Sequence, residues 1–155
     1  MESHVYNVDI NWESSRKGIM CSPELNKKNG VCIEVATPPE FPKGIAGIWS
    51  PEHLFVAAMS SCLMTTFLAI AENSSLEFTS FSCEAKGKLE IVEGKMLMSE
   101  ILLKPTVIIP FKKQVDKATR IVKKAKDACP ISHSILTKVT MEINIEVKPI
   151  LIENT

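Results

Sequence analysis

The sequence predicts an α+β domain in which antiparallel sheets wrap a long buried central helix, with a second, amphipathic helix later in the chain. Three observations carry that expectation. Apolar and polar residues alternate with the period of a half-buried strand near both ends and in the middle of the chain. One uncharged apolar run, Leu54 to Ala71, is too long for a strand, and a single apolar stripe at helical spacing follows Pro110. The resulting order is strands, long helix, hairpin, helix, strand, which is neither a βαβαβ alternation nor a run of short strands, so α+β with antiparallel pairing fits best. With no internal repeat or second domain in view, residues 1–155 read as one domain.

Tyr6, Val8, Ile10 and Trp12 alternate with polar residues and predict a first strand over Tyr6–Trp12. Residues 13–18 then turn the chain into a return strand through Ile19 and Cys21, and Gly30 to Val35 predicts a third. Between Thr37 and Gly44, three prolines within five residues exclude regular structure. Ser50 is a good N-cap, Pro51 suits the first helical position and Glu52 complements the positive end of the helix dipole, so the long helix starts there and runs to about Glu72. Apolar residues occupy nearly every side of it, which predicts burial all round, against a sheet on one side and another subunit on the other. Phe81, Cys83, Ala85, Leu89 and Ile91 face one way in a strand over Thr79–Ile91, Glu93-Gly94 turns the chain, and Leu97 to Ile109 forms the partner strand. Phe111, Val115, Ala118, Val122, Ala125 and Cys129 then make a helical stripe that Pro130 brings to an end, and a last strand carries Val139 to Val147.

Composition narrows the function classes. The chain has 45% hydrophobic and 23% charged residues, as soluble globular domains do. Its 18 basic and 18 acidic residues leave no net charge, which disfavours nucleic acid or an anionic membrane surface as the partner. The lysines after Phe111 are interrupted by Asp116 and Asp127 and read as a solvated face. Leu54 to Ala71 reaches the lower limit of a membrane span at 18 residues, but it is bracketed by Glu52 and Glu72 and has no flanking basic bias. The start of the chain lacks the pattern of an export leader, so a cytoplasmic location is expected.

The 5 cysteines are odd in number, widely spaced and not clustered as metal ligands, which argues against a disulfide scaffold. Cys21, Cys32 and Cys83 lie in predicted strands and read as small core residues. Cys62 sits in the middle of the long helix and Cys129 ends the second helix on its apolar stripe. Both aim inward and could be neighbours in space, although position alone still favours core packing.

The residues around these two cysteines add a further signal. Ser50-Pro51-Glu52-His53-Leu54, continuing through small and apolar residues to Cys62, resembles the OsmC/Ohr family of thiol peroxidases, whose reactive cysteine lies ten residues after the glutamate of a Pro-Glu-x-Leu motif. Cys129-Pro130 resembles that family's second motif, and the order of elements looks like its fold over nearly the whole chain. The resemblance implies an intertwined homodimer that reduces organic hydroperoxides. Cys62 would be the peroxidatic cysteine, forming a sulfenic acid, and Cys129 the resolving cysteine that condenses with it to a disulfide. An external dithiol, with the lipoyl type as a candidate class, would recycle the pair, and no metal or other cofactor is called for.

A thiolate at Cys62 needs a cation, because burial opposes its charge and the helix dipole fades within the first turn. The chain has two arginines. Arg120 lies on the exposed side of the second helix, whereas Arg16, in the first turn, resembles in location the arginine that the family brings to its cysteine. Glu52 corresponds to the motif carboxylate that orients this arginine through a bidentate pair; read alone, it is a first-turn charge on the dipole. Ten helical residues separate Glu52 from Cys62 by about 15 Å along the axis. Either the helix begins late, or Glu52 serves the partner's site in an antiparallel dimer, and the second is expected. Phe55, Met59, Leu63 and Phe67 around Cys62 would favour alkyl or aryl peroxides. His53 is assigned no role and His133 reads as a loop histidine. Two other classes stay open: an acyl-transferring Cys62 with His133 as base, and a non-catalytic protein that holds an apolar ligand at the dimer interface.

Overall fold

The computed structural model describes residues 2–25 and 31–149. Its backbone divides into two compact units, Met1–Leu54 and Phe55–Thr155.

The first unit is built on a three-stranded antiparallel meander of β1 (Asp9–Ser14), β2 (Lys17–Cys21) and β3 (Ile33–Ala36), in the order β1-β2-β3. Ser15, at a φ of 48°, makes the tight turn between the first two strands and leaves Arg16 at its tip. Tyr6 and Val8 precede β1, and the expected start of the third strand at Gly30 lies outside the described residues. The alternation that predicted β1 has no interior to serve among the described residues: all six of its residues are exposed, Trp12 by 76%. Beyond β3 the chain forms turns from Pro38 to Lys43, as the prolines require, and Gly44 closes them. A Cβ on Gly44 would stand 2.0 Å from the Pro38 carbonyl oxygen, so no other residue fits this fold of the loop. Trp49 then bridges to Val35 and accepts a hydrogen bond from the Ala36 amide at its carbonyl.

Helix α1 spans Pro51–Asn73, with the first helical bond from Leu54 N to Ser50 O. Met59, Leu63, Phe67 and Ala71, one turn apart each, are its buried residues. On the other side, where a second subunit is expected, Met64 and Leu68 are 39% and 41% exposed in the single chain. The composition of α1 suffices to cross a membrane, yet that buried stripe lies in the core of the second unit.

In that unit β4 (Ser80–Val92) and β5 (Lys95–Ile109) form a long antiparallel hairpin. Glu93 and Gly94 turn it with φ of 50° and 77°, the pattern of a two-residue type I′ turn. A bulge after Lys88 shifts the register, and toward the tip Leu89 and Ile91 are exposed. Ile101, Leu103, Val107 and Ile109 of β5 are fully buried against α1 and against α2 (Val115–Ala128). The buried face of α2 is Ala118, Ile121, Val122 and Ala125; Phe111 lies before the helix and is exposed, not part of the stripe. Phe67 stacks on Phe81 at 4.8 Å and meets Phe78 edge-on at 5.2 Å.

Pro130 occupies the first position of a short helix, α3 (Pro130–His133), as its fixed φ and missing N–H favour. The expected last strand is two, β6 (Lys138–Met141) and β7 (Asn144–Val147), both paired with β5 and both parallel to it. The expectation of purely antiparallel pairing fails here because α2 and α3 form a crossover that returns the chain to β5 in the same direction.

Candidate active site

Cys62 and Cys129 are brought together. Cys62 lies at mid-length on α1, half-buried, and Cys129 is the fully buried residue that caps α2. A disulfide joins them across 67 residues, with Cα atoms 6.0 Å apart. Cys129 reaches this place because Pro130 stops α2 and leaves its backbone extended, at φ −70° and ψ 118°, on the inward side of the helix. Ser132 Oγ donates to the carbonyls of Cys129 and Lys126, which fastens the turn that presents the cysteine.

Arg16 and Glu52 both line an open groove of about 700 Å³ in the first unit. Its walls are apolar, with Ile10, Trp12, Val35 and Phe41 among them. One Glu52 oxygen, Oε2, is buried without a hydrogen-bond partner, and no ion pair joins Glu52 to Arg16. The neighbouring Lys17 is held by Glu34 at 2.6 Å and Glu13 at 3.5 Å, and the hydrogen bond it donates to Glu34 raises its pKa. Arg16 is exposed and has no acidic partner among the described residues, so of the two adjacent cations it is the one free to meet an anion in the groove. Helix α1 begins at Pro51, which excludes a late start as the way to bring Glu52 closer to its own Cys62.

Three features escaped sequence reasoning. Cys21 and Cys32, read as core residues, form a disulfide. They extend the β2–β3 register in which Met20 pairs with Ile33, and so stand directly opposite each other, with Cα atoms 4.5 Å apart. Spacings of 21 and 32 carry this signal only once the two strands are paired. His53, given no role, bonds Ser50. Of the apolar residues expected around a substrate at Cys62, Met59, Leu63 and Phe67 are wholly buried core and only Phe55 is partly accessible.

The His133 ring bonds the Asp127 carbonyl through Nε2, and Arg120 is exposed on α2. Cys83 is the free thiol; burial pushes its pKa up. Among the described residues no group of three or more His, Cys, Asp or Glu is placed to hold a metal ion.

The sequence model of the OsmC-like protein family matches residues 44–144. The chain belongs to the OsmC-like family. It is 24% identical over 151 residues to the uncharacterized protein YmaD of Bacillus subtilis, covering 96% of this chain and 97% of that one. It is 26% identical over 99 residues to peroxiredoxin OsmC of Shigella flexneri, covering 63% and 67%. Among solved structures, an OsmC-like protein of unknown function from Vibrio cholerae superposes with a TM-score of 0.80 at 25% identity, over 91% of this chain and 99% of that one. An organic hydroperoxide resistance protein OsmC from Legionella pneumophila shares the fold with a TM-score of 0.69 at 20% identity, over 95% and 100%. The α+β architecture around the long helix α1 is thus the fold of this family.

Proposed function

We propose that this OsmC-like protein is a cysteine-based peroxidase that reduces organic hydroperoxides. The observation that carries the reading is the Cys62–Cys129 pair: two helix-borne cysteines, far apart in sequence, within disulfide reach of each other. The names of the Shigella and Legionella relatives support peroxide chemistry.

In this reading the Cys62 thiolate attacks the outer oxygen of R–O–OH. The O–O bond breaks, the alcohol leaves with a proton, and Cys62 becomes a sulfenic acid. The Cys129 thiol then attacks the sulfenic sulfur, the S–S bond forms and water leaves. An external dithiol reduces the disulfide by two exchange steps and is itself oxidised. Arg16, oriented by Glu52, favours the thiolate electrostatically, and the buried Glu52 oxygen is then satisfied by the guanidinium. Trp12 and Phe41, beside these charges in the groove, suit an alkyl or aryl group on the peroxide. A homodimer accounts for the exposed apolar side of α1 and for the exposed strand β1. The protein acts in the cytoplasm, where dithiol reductants are available.

The groove also favours a second reading, a protein that holds an apolar ligand without chemistry. Thiol counts decide between them. About one equivalent of cumene hydroperoxide, the ratio at which a two-cysteine cycle completes, is expected to join Cys62 to Cys129 in reduced protein, to leave Cys62→Ser unreacted and to leave a sulfenic acid in Cys129→Ser. No loss of thiols on peroxide addition overturns the peroxidase and leaves ligand binding.

A further inference from the structure

Cys21 and Cys32 have no part in that cycle, and their placement is specific. They lie at the end of the β2–β3 ribbon where the chain passes from one strand to the other, just beyond the last backbone pair, Met20 with Ile33. At the other end of the same ribbon Lys17 pairs with Ala36, and the Thr37 amide donates to the Arg16 carbonyl at 3.1 Å. One short ribbon therefore carries a cystine at one end and Arg16 at the other. The two pairs at the Arg16 end, Lys17 with Ala36 and Gly18 with Val35, also line the groove.

We propose that Cys21 and Cys32 form a second redox couple, a cross-strand clasp whose closure steadies Arg16 and the groove wall. Three features make it a clasp rather than a permanent staple. Both cysteines are only partly buried, so an external thiol can reach the sulfurs. The ribbon keeps four backbone pairs of its own, so its register survives when the bond opens. A ribbon so short frays readily, which makes its stiffness sensitive to one added cross-link. The oxidant is a low-molecular-weight disulfide. One cysteine thiolate attacks it and displaces the first thiol; the second cysteine attacks the mixed disulfide and displaces the other. The net change is one protein dithiol oxidised and one external disulfide reduced to two thiols. Cys62 and Cys129 are not involved, so the clasp stands whether or not the peroxidase reading holds.

The test is equilibration of the whole protein with glutathione and glutathione disulfide over a range of ratios at neutral pH. Thiols are then trapped by alkylation and the two cysteine pairs mapped separately by peptide mass. A Cys21–Cys32 disulfide that forms and reopens reversibly within that range is expected. A dithiol at every ratio overturns the proposal, and so does a bond that persists in the folded protein under excess dithiothreitol. The coupling to Arg16 is read by limited trypsin cleavage after Arg16 in Cys62→Ser/Cys129→Ser protein, with the wild type as the parallel sample should that variant fold poorly. Cleavage several-fold slower with the clasp closed is expected; equal rates in the two states overturn the coupling.

Discussion

Ser50 and His53 cap each other at the start of α1. The His53 amide donates to Ser50 Oγ at 3.3 Å, the Ser50 amide donates to His53 Nδ1 at 3.3 Å, and the Ser50 hydroxyl lies 2.8 Å from the same nitrogen. This is the reciprocal geometry of a capping box with histidine in the place of glutamate or glutamine. It satisfies orphan amides of the first turn, where Ser50 is almost wholly buried. Losing the ring should cost about 1 kcal/mol. His53→Ala is expected to unfold at lower denaturant than wild type, and His53→Gln, which restores an acceptor, to recover most of the difference. Equal midpoints for wild type and His53→Ala would remove the cap from the account.

How much of this was legible in the sequence follows from which interactions are local. Ser50, Pro51 and Glu52 announced the start of α1 because caps and dipole effects act within one turn. The Glu93-Gly94 turn was legible because two adjacent residues at positive φ define it. The parallel pairing of β6 and β7 was not, because strand direction is set by the crossover through α2 and α3. Cys21 and Cys32 looked like core residues for the same reason: opposition in a sheet depends on register. The motifs around Cys62 and Cys129 named the pair from resemblance, whereas the groove around Arg16 and Glu52 needed three strands and a proline-rich loop to be in place.

The two disulfides leave Cys83 as the free thiol of five cysteines. Denatured protein is expected to show five thiols after full reduction and one after full oxidation, with Cys83 the alkylated residue. Peptide mapping that finds Cys62, Cys129, Cys21 or Cys32 alkylated in fully oxidised protein would contradict the pairing.

Cys83 also predicts a pH dependence. Burial disfavours its thiolate and raises its pKa above the ordinary thiol value of 9.0, which outweighs a hydrogen bond from the Lys104 backbone; Glu84 adds to the rise. At neutral pH the thiolate fraction is therefore smaller than that of a free thiol, and alkylation of the folded, oxidised protein should be slower than that of a model thiol. The rate should climb as pH rises and still be climbing above pH 9.0. A plateau below that pH, followed by iodoacetamide trapping, would show that the thiolate is favoured instead.

Arg16 and Glu52 are separable by conservative changes. An opposite charge beside a thiol lowers its pKa by roughly one to three units, so in the peroxidase reading loss of Arg16 is expected to slow the peroxide reaction about tenfold to a thousandfold. Arg16→Lys keeps the charge and loses the planar fork, so it should fall between wild type and Arg16→Ala. Glu52→Gln removes the orienting charge and should slow the reaction without changing the thiol count at its end. Stopped-flow rates with cumene hydroperoxide over a range of pH check this: a profile displaced to higher pH in Arg16→Ala supports the electrostatic role, and unchanged rates in both variants exclude it.

The exposed side of α1 makes the last prediction. Met64 and Leu68 lie away from the core, and an apolar helix face of this kind is stable in water when another surface covers it. In the homodimer reading light scattering should give twice the 17.2 kDa chain mass, and Leu68→Glu, which puts a charge on that face, should shift the protein toward one chain while its circular dichroism stays that of the wild type. α1 is continuous from Pro51, with Glu52 about 15 Å along its axis from Cys62. If Glu52 serves the partner's cysteine, the specific peroxidase activity of Leu68→Glu should fall on dilution while that of wild type holds. A wild-type chain that scatters as a monomer overturns the dimer, and a monomeric variant of full activity shows that each chain completes its own site.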